Sequence, residues 1–247
     1  MNIAMWSGPR NLSTAMMYAF AQRADMAVRD EPFYAAYLAA TGIDHPMRAE
    51  VLASQPTDFA EVARACATPA PEGTPHLYLK LMTHHMVAGA DTGFMAACRN
   101  VFLIRHPARV LASYAAKREN PTLADIGFER QRALFEEARA RGLAPLVIDS
   151  DDIRADPRGM LTVLCDALGL PFDPAMLSWP AGGNPADGVW AAHWYAAVHR
   201  STGFAGPEGP LPGLPDALRA IHDAALPAYV ALSRHRLRAQ TLSSSSC

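Results

Sequence analysis

Five short apolar runs, most of them followed by a stretch with helical periodicity, restrict this chain more than any other feature of its sequence. The runs are Ile3 to Ser7, Met26 to Arg29, Leu77 to Leu81, Asn100 to Ile104 and Ala144 to Ile148. Helical patterns fall near 13–23, 58–67, 84–97, 107–118 and 127–141. Short buried runs that alternate with helices build a mostly parallel sheet covered on both faces. The expected fold class is therefore α/β, a three-layer α/β/α arrangement around a mostly parallel five-stranded sheet, with a helical C-terminal part. That part begins at Pro157 to Leu168, where proline opens the first turn and Gly169 follows the last. A helix around 187–198 and another from Pro215 to about Leu237 complete it. Between them "STGFAGPEGPLPGLP" is a loop by its glycine and proline content, readable as a linker or as a lid.

A chain of 247 residues that is 50% hydrophobic can bury a sizeable core. One domain over residues 1–240 is expected, with 241–247, ending in "SSSSC", as a flexible tail. A net charge of -2 supplies no global field to gather nucleic acid or an anionic membrane, so basic residues must bind anions locally. Cys66, Cys98, Cys165 and Cys247 lack CxxC spacing, which suits a reducing compartment. No segment approaches the roughly 18 apolar residues that span a bilayer, and Met1 to Trp6 is too short for a signal-peptide core. A cytoplasmic location is expected.

In open parallel sheets, ligands bind beyond the carboxyl ends of the strands, where helix N-termini direct partial positive charge. Four such places carry polar chemistry: "SGPRNLST" after the first strand, "DEPF" after the second, "THH" after the third and "RHPARVLAS" after the fourth. In the first, Gly8 and Pro9 turn the chain and Arg10 puts a cation in the loop. Ser13 and Thr14 add hydroxyls and free N–H groups at a helix start, a geometry suited to phosphate or sulfate. A Walker A loop would need glycine at Ser13 and lysine at Thr14, so a magnesium nucleoside triphosphate is disfavoured. The plain structural alternative is a serine-capped helix after a turn. In the fourth place Arg105 closes a strand, Pro107 opens a helix, and Ser113 lies eight residues beyond Arg105. Such an arginine and serine can hold a second phosphate, with the guanidinium gripping bidentately. Arg109 shares a helix face with Ser113 and reads as a solvated surface charge.

These motifs resemble those of the sulfotransferases that use 3'-phosphoadenosine 5'-phosphosulfate, PAPS. Pro9, Arg10, Asn11, Leu12, Ser13 and Thr14 are similar, position for position, to that family's 5'-phosphosulfate loop, P-K-S-G-T-T, with Arg10 for lysine and Leu12 for glycine. Arg105, Pro107 and Ser113 match its 3'-phosphate signature, R-x-P with a serine eight residues after the arginine. "VIDSDDIRADPRGMLTVLCDALGLPF" resembles its strand and Y-E-D-L-x-x-D-P helix ending in leucine-glycine-leucine-proline. The likeness covers about residues 1–175. It implies a P-loop sulfotransferase-like fold, PAPS as co-substrate with no metal, and sulfuryl transfer to a hydroxyl or amine of a small-molecule acceptor. Arginine keeps its proton at neutral pH, so Arg10 can stabilise charge but cannot serve as an acid in the way the family's lysine can.

For the base on the acceptor, the resemblance offers two sources. His84 and His85, in "YLKLMTHHM", are similar to a lysine-threonine-histidine stretch of many cytosolic members, although Lys80 stands two residues further from Thr83. Glu31, in "DEPF", is similar to a glutamate of carbohydrate sulfotransferases. The histidine pair is put first, because an unperturbed imidazole titrates near the working pH whereas a glutamate must be buried to do so. Adjacent histidines also lack the i, i+4 spacing of zinc ligands on a helix. Arg200, Ser201, Thr202 and Gly203 resemble, without its R-K-G-x-x-G pattern, the late basic loop that the family closes over the 3'-phosphate and adenine. Trp190, Trp194 and Tyr195 read as helix packing. Whether 180–215 forms a lid or bridges to a second subunit in a homodimer stays open. So do two other functions: a catalytically silent nucleotide-binding protein of the same fold and, less favoured, an ATP-dependent small-molecule kinase.

Overall fold

A computed structural model describes residues 1–70, 72–116 and 121–239. Its elements begin with β1 (Asn2–Ser7), α1 (Ser13–Ala21), β2 (Met26–Asp30), α2 (Tyr34–Thr41), α3 (Arg48–Ser54), α4 (Phe59–Ala67) and β3 (His76–Met82). Then come β4 (Cys98–Ile104), α5 (Pro107–Ala115), α6 (Leu123–Ile126), α7 (Phe128–Ala140), β5 (Leu146–Asp149), α8 (Ser150–Ala155) and α9 (Pro157–Leu168). The last are α10 (Ala191–Trp194), α11 (Ala196–His199) and α12 (Asp216–Ser233), with short 3-10 helices at Thr83–His85, Gly93–Ala97 and Pro174–Leu177.

The five strands pair in the order β2-β3-β1-β4-β5, and every pair is parallel. Alternation within β1 explains why helices cover both faces. Ile3 and Met5 join Met16, Phe20, Leu103 and Leu161 in one core, while Ala4 and Trp6 join Leu79, Phe102, Phe135 and Leu232 in the other. A strand that buries both its residue sets belongs in the middle of a sheet, and β1 lies between β3 and β4. After β3 the chain crosses to the far side of β1 to form β4. That reversal opens a crevice at the carboxyl ends of these strands.

Several elements differ from the sequence reading. The helix expected over 84–97 is two separate 3-10 turns. Gly89 adopts φ 81, and the Asp91 side chain accepts from the Gly93 N–H at 2.7 Å, so local turns end any helix there. The expected helix over 187–198 breaks into α10 and α11 on either side of Tyr195. Helix α2 was not expected, because Tyr34 to Leu38 are all buried and present no polar face to mark a helix; the short helix α3 was missed as well. The strand expected from Ala144 starts instead at Leu146, because Ala144 sits at φ 45 and Pro145 has no N–H to give the ladder. The end of the helix expected over 107–118 and the tail at 241–247 with Cys247 lie outside the described residues. Residues 201–215 carry no helix. Among the described residues, no helix is long and apolar enough to cross a membrane.

Candidate active site

The turn between β1 and α1 forms one wall of the crevice. Pro9, Arg10, Asn11, Leu12, Ser13 and Thr14 all line it. A Cβ on Gly8 would sit 2.6 Å from the Ile126 carbonyl oxygen, so the turn lies directly against α6. Arg10 and Leu12 hold φ values of 60 and 68, left-handed conformations that strain a non-glycine residue. Leu12 occupies the N-cap position of α1 with no side-chain capping bond, and Ser13 is the first helical residue rather than its cap. The plain serine-capped start is therefore absent. Asn11 is buried, and its Nδ2 donates to the Leu103 carbonyl at 3.0 Å, which anchors the turn to β4.

Arg105 and Ser113 reach this same turn. Arg10 Nε donates to Ser113 Oγ at 2.9 Å, and Arg105 Nη1 donates to the Arg10 carbonyl at 2.6 Å. Burial, and next to it the charge of Arg105, lowers the pKa of Arg10. Two like charges so placed are relieved by an anion. The other edge of Arg105 meets Glu208, with Nε 3.3 Å from Oε2 and a second bond from Nη2 to Oε1. Glu208 also pairs with Arg154 at 2.6 Å and with Arg109 at 3.4 Å. Arg109 is not the solvated charge its sequence context suggests. Its side chain is 11% exposed, pairs with Asp151 at 3.1 Å and donates to the Gly209 carbonyl at 2.6 Å.

The opposite end of the crevice is built on β2 and β3. Glu31, just past β2, holds φ 38, kept there by its N–H donating to the Lys80 carbonyl at 3.0 Å and by its own carbonyl accepting from Gln55 Nε2 at 3.2 Å. Lys80 is 1% exposed and has three partners: Asp30 at 2.9 Å, Glu31 at 2.5 Å and the Tyr195 hydroxyl at 2.5 Å. That hydroxyl also accepts from Trp190 Nε1 at 3.1 Å and donates to Asp30 at 2.8 Å. The late segment is thereby tied to β2 and β3. His85 Nε2 lies 3.9 Å from Glu31 Oε2, and the ring stacks between Tyr34 and Tyr37 with centroids at 4.6 and 4.9 Å. Burial, then the neighbouring charge of His84, pushes His85 well below its ordinary pKa. Burial raises Glu31 against the opposing pull of Lys80. Burial alone would lower Lys80, but Asp30 and Glu31 hold it above its ordinary value. The ring is thus neutral, the lysine charged, and the glutamate a stronger proton acceptor than usual.

The crevice gathers Arg10, Ser13, Thr14, Glu31, His84, His85, Arg105, Ser113, Ser201 and Gly203 from the residues the sequence singles out. Arg200 and Thr202 are exposed and do not line it; the Thr202 carbonyl accepts from the Trp179 N–H at 3.1 Å. Sequence reasoning passed over Lys80, whose signal was a lone charge inside the apolar "YLKLM" and which therefore needed buried partners. Tyr195 is more than packing, since its hydroxyl completes that network. Nothing local marked Arg154 or Glu208.

A family model described as "Sulfotransferase domain" matches residues 1–236. Two curated Arabidopsis thaliana proteins, "Branched-chain-amino-acid aminotransferase-like protein 1" and "protein 2", are 37% and 35% identical over 243 residues, which cover 98% of this chain and 43% of each relative. The chain thus spans less than half the length of these relatives. Among solved structures, the "Sulfotransferase Domain from the Curacin Biosynthetic Pathway" superposes with a TM-score of 0.52 at 14% identity, over 90% of this chain and 96% of that one. This last likeness is one of fold.

Proposed function

The chain belongs to the sulfotransferase domain family, and from that premise we propose that it transfers a sulfuryl group from PAPS to a hydroxyl or amine of a small-molecule acceptor. The observation that carries this reading is the junction of its two anion motifs, where Arg10 donates to Ser113 and Arg105 donates to the Arg10 carbonyl. The residues present suit a bisphosphorylated ligand. Adjacent guanidiniums face one crevice, and the carboxylate of Glu208 already sits on the fork of Arg105 as a phosphate would.

When bound, PAPS supplies the sulfuryl group and the departing phosphate. Arg10 and the N-terminus of α1 hold the negative charge that grows on the 5' side, and the contribution of Arg10 is electrostatic because it keeps its proton. Arg105 and Ser113 suit the 3'-phosphate. At the acceptor end Glu31 takes the proton. Its burial lifts it toward the working range, whereas the neutral ring of His85 is a poorer acceptor than an ordinary imidazole. On this reading Glu31 precedes the histidine pair, and Lys80 orients its carboxylate.

Calorimetric titration with 3'-phosphoadenosine 5'-phosphate, AMP and ATP, the last with and without magnesium, tests the nucleotide. Preference for the 3'-phosphorylated compound is expected; preference for magnesium-ATP, or no binding, would overturn the reading. Glu31→Gln should abolish PAPS turnover across a panel of phenols, alcohols and amines while leaving 3'-phosphoadenosine 5'-phosphate affinity unchanged. A catalytically silent nucleotide-binding protein would have no turnover to lose.

A further inference from the structure

We infer that Glu208 is a built-in competitor for phosphate on the guanidiniums of Arg105, Arg109 and Arg154, and that Arg154 is itself a ligand of that phosphate. This rests on the PAPS reading and adds Glu208, which lies outside its motifs, and Arg154, which stands at an unspecified position of the segment that resembles Y-E-D-L-x-x-D-P. A guanidinium offers its bidentate Nε and Nη2 edge to one partner at a time. In Arg105 that edge is taken by Glu208, and Nη1 is held by the Arg10 carbonyl. A phosphate gripped by the same fork must therefore displace the carboxylate.

The surroundings fit an exchange of anions. Among the described residues three arginines meet two carboxylates here, Glu208 and Asp151, which leaves one positive charge in excess. A phosphate dianion in place of the Glu208 carboxylate would balance it. Residues 205–207 and 209–211 are exposed, whereas the Glu208 side chain is 16% exposed, so a surface strap turns inward only at its charge. Arg154 Nε donates to the Gly206 carbonyl at 2.8 Å and Arg109 Nη2 to that of Gly209 at 2.6 Å, fastening the strap on both sides of Glu208. Burial alone would raise the Glu208 carboxyl, but its bonds to Arg105 and the charges of Arg105, Arg154 and Arg109 hold it below the usual range, so it is ionised. With Pro207 and Pro210 bounding it and no helix or strand to hold it, the strap is fastened chiefly by these arginines.

Calorimetry on wild type, Glu208→Gln and the double variant Glu208→Gln/Arg154→Gln, each with 3'-phosphoadenosine 5'-phosphate and with AMP, tests the inference. A strap closed about nine-tenths of the time lowers apparent affinity about tenfold. Glu208→Gln should therefore bind the 3'-phosphorylated nucleotide several-fold to tenfold tighter, with AMP unchanged, and adding Arg154→Gln should reverse the gain. If wild type prefers the 3'-phosphate and Glu208→Gln binds it no tighter, or more weakly, the strap is a clamp rather than a competitor and the inference falls alone. If both proteins bind the two nucleotides equally, the two-phosphate site falls with it. Glu208→Ala serves as a second removal of the charge should the glutamine retain the hydrogen bond.

Discussion

Lys80 shows how much a single buried charge can hold. Its ammonium neutralises part of an acidic pair that is almost wholly buried, so Lys80→Met should leave Asp30 and Glu31 uncompensated and cost about 3–5 kcal/mol in urea unfolding. A cost near zero would mean that water already reaches those carboxylates. Asp149 gives a second test, set by pH. It caps α8 through the Asp151 N–H at 3.0 Å and accepts from Tyr229 at 2.9 Å, while burial pushes its pKa from 3.8 up to about 6. Its proton is held more tightly in the folded chain, so stability falls as pH rises between these values and stays lower above them. Asp149→Asn keeps the cap without the charge. Its stability relative to wild type should rise across that window by up to about 3 kcal/mol, read from melts at pH 4 to 7. A difference that does not change with pH would contradict the assignment.

Among the elements, the turn from β1 into α1 depends most on a neighbour it cannot foresee. Gly8 is required because α6 approaches to within 2.6 Å of where a side chain would begin. Gly8→Ala should cost about 1–3 kcal/mol of overpacking and, by moving Arg10, weaken binding of 3'-phosphoadenosine 5'-phosphate. A melt lowered without any change in affinity would detach the turn from the anion site. Element boundaries were readable where the determinants are local. Pro157 to Leu168 has its proline start and glycine stop in sequence, and the structure has α9 over those same residues. Residues 84–97 misled because their apolar content resembles a helix, while Gly89 and the Asp91 side chain turn the backbone.

Across the whole molecule, Tyr195 joins the late segment to the sheet. Its hydroxyl binds Lys80, Asp30 and Trp190, and the chain then continues to Ser201 and Gly203 at the crevice and to Glu208 beyond it. Tyr195→Phe should cost about 1–3 kcal/mol from the unsatisfied partners and also weaken nucleotide binding, measured by thermal melts and calorimetry on the same sample. Loss of stability with intact affinity would confine Tyr195 to the core. By itself, the sequence determined the parallel α/β sheet and nominated the two anion motifs, because strand burial, helix stops and residues at strand ends are set within a few positions of each other. Only the tertiary structure decided that Lys80 meets Asp30, Glu31 and Tyr195, and that Glu208 lies on Arg105, Arg109 and Arg154. Those partners lie far apart in the chain. The path of an irregular loop and the pairing of a buried charge follow from how the whole chain closes on itself, which no local pattern records.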